Sequence, residues 1–165
     1  MANYYVSVGG SGGGGGNVSL ASEAITIGAI TTAPTKGTTL TDAVYYYVQN
    51  GVLFAHYEFD QTVAGTAGSG EYTFSLPNSY EINSSWVQAD ASDYKQATIG
   101  MGMITNHVLR QGSTTSHCRA TVFSSTQFKI MYSSSATGST PVSSTVFGLN
   151  TTIAFSINIQ VPIAV

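Results

Sequence analysis

The chain has 165 residues, of which 42% are hydrophobic and only 8% charged, with a net charge of −3. That length and apolar content support a single domain with a sizeable core and exclude a disordered chain. Lys36, Lys95, Arg110, Arg119 and Lys129 are scattered, which excludes the clustered cations that nucleic-acid binding by counterion release requires.

Residues 1–20 read as an arm. Tyr4, Tyr5, Val6 and Val8 form an apolar, strand-like tip, and from Gly9 to Gly16 only Ser11 is not glycine. Ordering so much glycine costs too much backbone entropy for a packed element. A sticky tip on a tether is expected, reaching roughly 65 Å if fully extended at ~3.3 Å per residue. An engineered linker is the alternative reading.

Residues 21–165 read as the folded head. Ile25, Ile27 and Ile30 precede a turn at residues 33–37. Residues 45–48 make an aromatic strand, and Asn50-Gly51 predicts a tight hairpin that pairs it with residues 52–62. In the second of these strands Leu53, Ala55, Tyr57 and Phe59 fall on one face, and His56, Glu58 and Asp60 on the other. This period of two is the pattern of a half-buried strand. Tyr72, Phe74 and Leu76 repeat it after a small, flexible loop from Gly65 to Gly70, so a hairpin-like corner is expected there. Residues 80–93 read as irregular, anchored by Ile82 and Trp86.

Ile99, Met101 and Met103 alternate with Gly100 and Gly102, which predicts a strand approached closely on its glycine face. Residues 119–123 and 128–132 predict another hairpin, and residues 133–144 a loop. Ile153, Phe155, Ile157, Ile159 and Val161 form the cleanest alternating strand, ended by Pro162. No segment carries a helical stripe. The expected fold is all-β: an antiparallel jelly-roll β-sandwich with a glycine-rich N-terminal arm.

Chemistry has little purchase on this sequence. Residues 9–13 match the spacing of a nucleophile elbow, but that motif needs a strand, a sharp turn and a helix. The same run has dinucleotide-loop spacing without a βαβ unit. His107, His117 and Cys118 lack zinc-site spacing and read as loop or surface residues. His56, Glu58 and Asp60 read as a pairing polar surface rather than a catalytic cluster. Asn17, Asn83 and Asn150 begin glycosylation-type triplets, which a Ser/Thr-rich chain produces by chance. No catalytic residue, metal or cofactor is therefore expected. Cys118 is the single cysteine and cannot form an internal disulfide. No apolar run approaches the ~18 residues of a membrane span, and no basic-then-apolar leader is read at the N-terminus. Ten tyrosines and seven phenylalanines exceed what a core alone invites. Tyr45, Tyr46 and Tyr47 are candidates for a subunit interface, where tyrosine is favoured. Exposed tyrosines and Trp86 could also stack on sugars.

The run Ala33-Pro34-Thr35-Lys36-Gly37-Thr38-Thr39, followed by an aromatic strand and then by residues 57–77, carries a resemblance. Its pattern Y-E-x-x-Q-T…G-x-G-x-Y-x-F-x-L-P, with the closing residues 155–163, resembles a module of tailed-phage structural proteins. The similarity spans roughly residues 25–165. The resemblance implies a jelly roll similar to C1q and tumour-necrosis-factor heads, usually trimeric. It implies a capsid decoration or cement protein at the virion surface, with the major capsid protein and further copies of itself as partners. Neither nucleic acid nor membrane is implied as a partner, and no catalytic residue carries over. The alternative implied is a tail-fibre or receptor-binding head that recognises a host surface glycan. Tyr4, Tyr5, Val6 and Val8 lie outside the similarity and are the expected anchor to the partner.

Overall fold

The computed structural model describes residues 5–6, 18–83, 85, 98–106, 115–135 and 138–164. Two short strands, β1 (Tyr5–Val6) and β2 (Val18–Ser19), pair with each other, Tyr5 opposite Ser19. The apolar tip is thus folded back on the base of its own tether. The other strands are β3 (Ala21–Glu23), β4 (Ile27–Ala29), β5 (Thr39–Gln49), β6 (Val52–Gln61), β7 (Tyr72–Ser75), β8 (Thr98–Asn106), β9 (Thr115–Val122), β10 (Gln127–Ser135), β11 (Gly138–Pro141) and β12 (Ile153–Pro162). They form one antiparallel sheet in the order β3-β5-β6-β12-β8-β9-β10-β7-β4, with β11 on β10. The expected all-β, antiparallel architecture is what the chain adopts. Within it β12 returns to lie beside β8, the first strand of the β8-β9-β10 meander, which makes a Greek key.

The sheet curls until its two halves face each other. Tyr57 of β6 meets Phe128 of β10 edge-to-face at 5.0 Å, and Phe155 of β12 meets Phe74 of β7 at 5.4 Å. The inward residues are those the period of two selects. Leu53, Ala55, Tyr57 and Phe59 are buried, as are Ile153, Phe155, Ile157, Ile159 and Val161. At the β5–β6 turn Asn50 and Gly51 have φ of 52° and 72°. Two positive φ values give a turn whose twist matches the flanking strands, and Asn-Gly is the pair that tolerates it best.

One stretch closes the curl. β3 pairs with β5 and β4 pairs with β7, so residues 21–29 join the two ends of the sheet within a single segment. Ile25 sits where the chain leaves one ladder for the other, and its side chain is buried. Its backbone groups are taken up by an ion pair instead. Ile25 N–H donates to Asp42 Oδ1 at 3.1 Å, Lys36 Nζ donates to the Ile25 carbonyl, and Lys36 reaches Asp42 at 2.7 Å. A second latch is buried Gln61. Its amide donates to the carbonyls of Leu149 and Thr151, each at 2.8 Å, and its Oε1 accepts from Gly37 N–H at 2.7 Å.

Several expectations need correction. β6 and β7 do not pair with each other. They lie in facing halves of the sheet, and the glycine loop crosses between them. That loop is laced to residues 30–37: Thr32 N–H donates to Ser69 O at 3.1 Å, and Thr66 N–H to Thr35 O at 2.9 Å. A Cβ on Gly65 or Gly68 would lie 2.0 or 2.2 Å from a backbone carbonyl of that neighbour. Glycine is there for close approach rather than for flexibility. In β8 a register shift between Thr98 and Gly100 breaks the alternation. Ile99 is buried, while Met101 and Met103 are 69% and 49% exposed. A bulge places an extra residue in one strand and resets which face follows. The glycine expectation holds, because a Cβ on Gly102 would lie 2.0 Å from Ser156 O of β12. Residues 133–144 are not simply a loop, since β10 extends into them and β11 pairs back on it. Trp86 lies outside the described residues.

Two substitutions test this architecture in denaturant melts. Ile157→Ala should cost ~2–5 kcal/mol, because Ile157 is fully buried in the central strand. Asp42→Ala should cost about 1–3 kcal/mol by leaving the Ile25 amide without its acceptor and the Lys36 ammonium without its carboxylate partner. A loss under about 0.5 kcal/mol at either position would contradict the packing or the latch.

Candidate functional site

The outer face of β5, β6, β12 and β8 is built from rungs set by strand register. One rung runs Tyr47, Phe54, Gln160; the next runs Tyr45, His56, Asn158, Met101; the third runs Ala43, Glu58, Ser156, Met103. The face therefore grades from aromatic, through amide and imidazole, to acidic. Tyr47 and Phe54 stack with centroids 4.9 Å apart and planes 8° from parallel. Tyr45 and His56 stack more loosely at 6.5 Å and 21°. His56 Nδ1 and Asn158 Oδ1 are 2.9 Å apart. With the Asn158 oxygen accepting, Nδ1 carries the proton, and in the neutral ring Nε2 keeps its lone pair.

These side chains line a groove of about 690 Å³, flanked by Leu20 and Gln160. That volume falls within the ordinary range for small-ligand sites. Among the described residues its lining contains no Lys, Arg, Asp or Glu. A shallower depression of about 220 Å³ lies further along the face, with Glu58, Asp60, Thr41 and Thr105 at its border.

The structure divides the three candidate interface tyrosines. Tyr45 and Tyr47 stand on the outer face. Tyr46 lies against the core and meets Tyr80 edge-to-face at 6.2 Å. Its phenol is held above the usual tyrosine range, first by burial and then by the negative field of Glu23 and Tyr80. Of the expected anchor residues, Tyr5 and Val6 lie in β1, and Tyr4 and Val8 lie outside the described residues.

His56, Glu58 and Asp60 do share one face, as the alternation requires. His117 and Cys118 do not: His117 is exposed and Cys118 buried, as neighbours in a strand must point oppositely. His107 lies outside the described residues. Among the described residues, no three His, Cys, Asp or Glu side chains gather closely enough to hold a metal ion. Sequence reasoning passed over Phe54, Asn158 and Gln160 as site residues. Phe54 had a legible signal, being a large aromatic residue with the same parity as His56 and Glu58. Asn158 and Gln160 had none, because the β6–β12 pairing is not visible in local pattern.

No family model matches the chain, and no curated protein and no solved structure matches it either. What fold and site define is a curled antiparallel β-sandwich with an aromatic groove on one outer face, whose described lining carries no Lys, Arg, Asp or Glu.

Burial pushes the Cys118 thiol up to about 12. A thiol reagent at pH 8 should leave the folded protein unlabelled and react once denaturant is added. The unfolded chain gives up this proton near the ordinary thiol value of 9.0, well before the folded one. Stability should hold below that pH and decline as pH rises from there toward 12. Buried Tyr57, also raised by desolvation, acts in the same direction. A melting temperature unchanged between pH 8 and pH 10.5 would contradict this.

Proposed function

We propose that this protein is a structural component of a tailed-phage virion, a decoration or cement protein that binds the major capsid protein and stabilises the shell. In this reading the head is a jelly-roll-type module that forms a homotrimer, with no enzymatic activity and with neither nucleic acid nor membrane as partner. The observation that carries it is a pair of exposed methionines on one outer face of a charge-poor sandwich. Met101 and Met103 stand out from β8 on the same face as Tyr45 and Tyr47. Adjacent exposed apolar side chains on a small head mark a contact surface. The sequence pattern of residues 33–39 and 57–77 supports the same reading. We place the subunit contact at Met101 and Met103 rather than at Tyr45, Tyr46 and Tyr47.

The arm fits this role. β1 is held to β2 by a two-residue ladder. So short a pairing is marginal, and the strand can be given up for a longer sheet edge on a neighbour. The second reading is a tail-fibre or receptor-binding head, favoured specifically by the aromatic groove.

Light scattering should give a trimer, and Met101→Lys with Met103→Lys should convert it to a monomer that still folds. A monodisperse wild-type monomer at micromolar concentration would sink the trimer. Removing residues 1–16 should leave melting nearly unchanged but abolish joining to particles. Full occupancy by the truncated chain would show that the arm is not the anchor. Imaging of particles should place threefold density on the shell, and density at the tail would favour the second reading.

A further inference from the structure

We infer that the groove at Tyr45, Tyr47, Phe54, His56, Asn158 and Gln160 is a binding site for an uncharged saccharide. The inference rests on the groove itself and holds whether the head sits on a shell or a tail.

A pyranose ring has an apolar face of C–H groups and a rim of hydroxyls. The groove supplies the complement of both. Tyr47 and Phe54 form a parallel pair at 4.9 Å, and a sugar face can extend that stack on either side. On the neighbouring rung, the bond between His56 and Asn158 fixes both side chains. The Asn158 amide then offers donors and His56 Nε2 an acceptor, while the Tyr45 and Tyr47 hydroxyls do both. Gln160 adds a second amide beside Phe54. Rings with fixed partners lose little freedom on binding, which lowers the entropic cost of recognition.

Other ligand classes fit less well. Nucleotides would stack equally, but among the described residues the lining offers no cation for phosphate. A purely apolar ligand would bury the amides and imidazole without partners. An added peptide strand finds no free edge at β6 or β12, the strands that carry Phe54, His56, Asn158 and Gln160, since among the described residues each pairs on both sides. Anionic sugars meet Glu58 on a neighbouring rung and a net charge of −3.

The test uses the full chain in solution, without particles. Maltooligosaccharides, galactooligosaccharides and N-acetylglucosamine oligomers are titrated while backbone amide resonances are followed, with sialylated oligosaccharides as the charged comparison. At least one neutral series should shift Tyr45, Tyr47, Phe54, His56 and Asn158 saturably, and the sialylated series should bind more weakly. Phe54→Ala and Asn158→Ala should each weaken binding about tenfold, the amount that one stacking or amide contact supplies. Tyr47→Phe keeps the stack, so any loss it shows reports the hydroxyl alone and guards against a fold defect. No shift with any neutral series overturns the inference, as does binding that survives both Phe54→Ala and Asn158→Ala or that favours the sialylated series. Particle occupancy of the wild-type chain is scored separately: normal occupancy without sugar binding by the wild type sinks only the saccharide site, and sugar binding without wild-type occupancy sinks only the decoration reading.

Discussion

A sheet that curls on itself must do something with its two ends, and here both are fastened at Ile25. The chain passes from β3 to β4 at this point, so its backbone groups belong to neither ladder. Unpaired in a protected corner, they would cost about 1–3 kcal/mol. Lys36 and Asp42 satisfy them, and satisfy each other in doing so. The facing halves, the aromatic cluster of Phe59, Phe74, Phe128 and Phe155, and the outer face all presuppose that closure. Gln61 repeats the logic at another seam with a neutral group. An amide that bonds Gly37, Leu149 and Thr151 can be fully buried, whereas a lone charge there could not.

Closure also separates the two faces of every strand into different roles. Inward positions are filled to exclusion, and outward positions are free to vary. On β6 that freedom was used to place Phe54, His56 and Glu58 in sequence, giving a face that changes character every second residue. On β12 it placed Asn158 and Gln160 beside them. The groove is therefore a by-product of pairing strands whose outer residues are neither all charged nor all small. Its floor is backbone already committed to ladder hydrogen bonds, at buried residues such as Ala55 and Ile159, which makes it rigid.

Much of the fold was legible because it rests on short-range rules. The Asn50-Gly51 turn and the alternation of residues 53–59 and 153–161 depend on two dihedrals and a period of two, and both appear as read. What was missed depended on partners distant in sequence. The bulge at Ile99 is forced by pairing with β9, so the alternation of residues 99–103 pointed Met101 and Met103 the same way as Ile99. The glycines at 65 and 68 looked like slack because the backbone that crowds them comes from residues 32–37. β11 was hidden in Ser, Thr and Gly, residues whose own preferences do not ask for a strand. The groove fared similarly. Phe54 was visible by parity, but its grouping with Asn158 required knowing that β6 neighbours β12.

That neighbourhood has a bearing on how the chain reaches its structure. β12 occupies the middle of the sheet, between β6 and β8, yet follows every other described strand in the chain. The His56–Asn158 bond alone spans 102 positions. Until β12 arrives, β6 and β8 each present a bare ladder edge lined on one side by core residues. The topology is of high contact order, the kind that folds slowly because distant closures come before their reward. Bare apolar edges held open for that long invite pairing with the wrong chain. A polar, charge-poor surface gives little electrostatic protection in that interval. Crowded synthesis, more than any weakness of the finished sandwich, is thus where this protein is most exposed to failure.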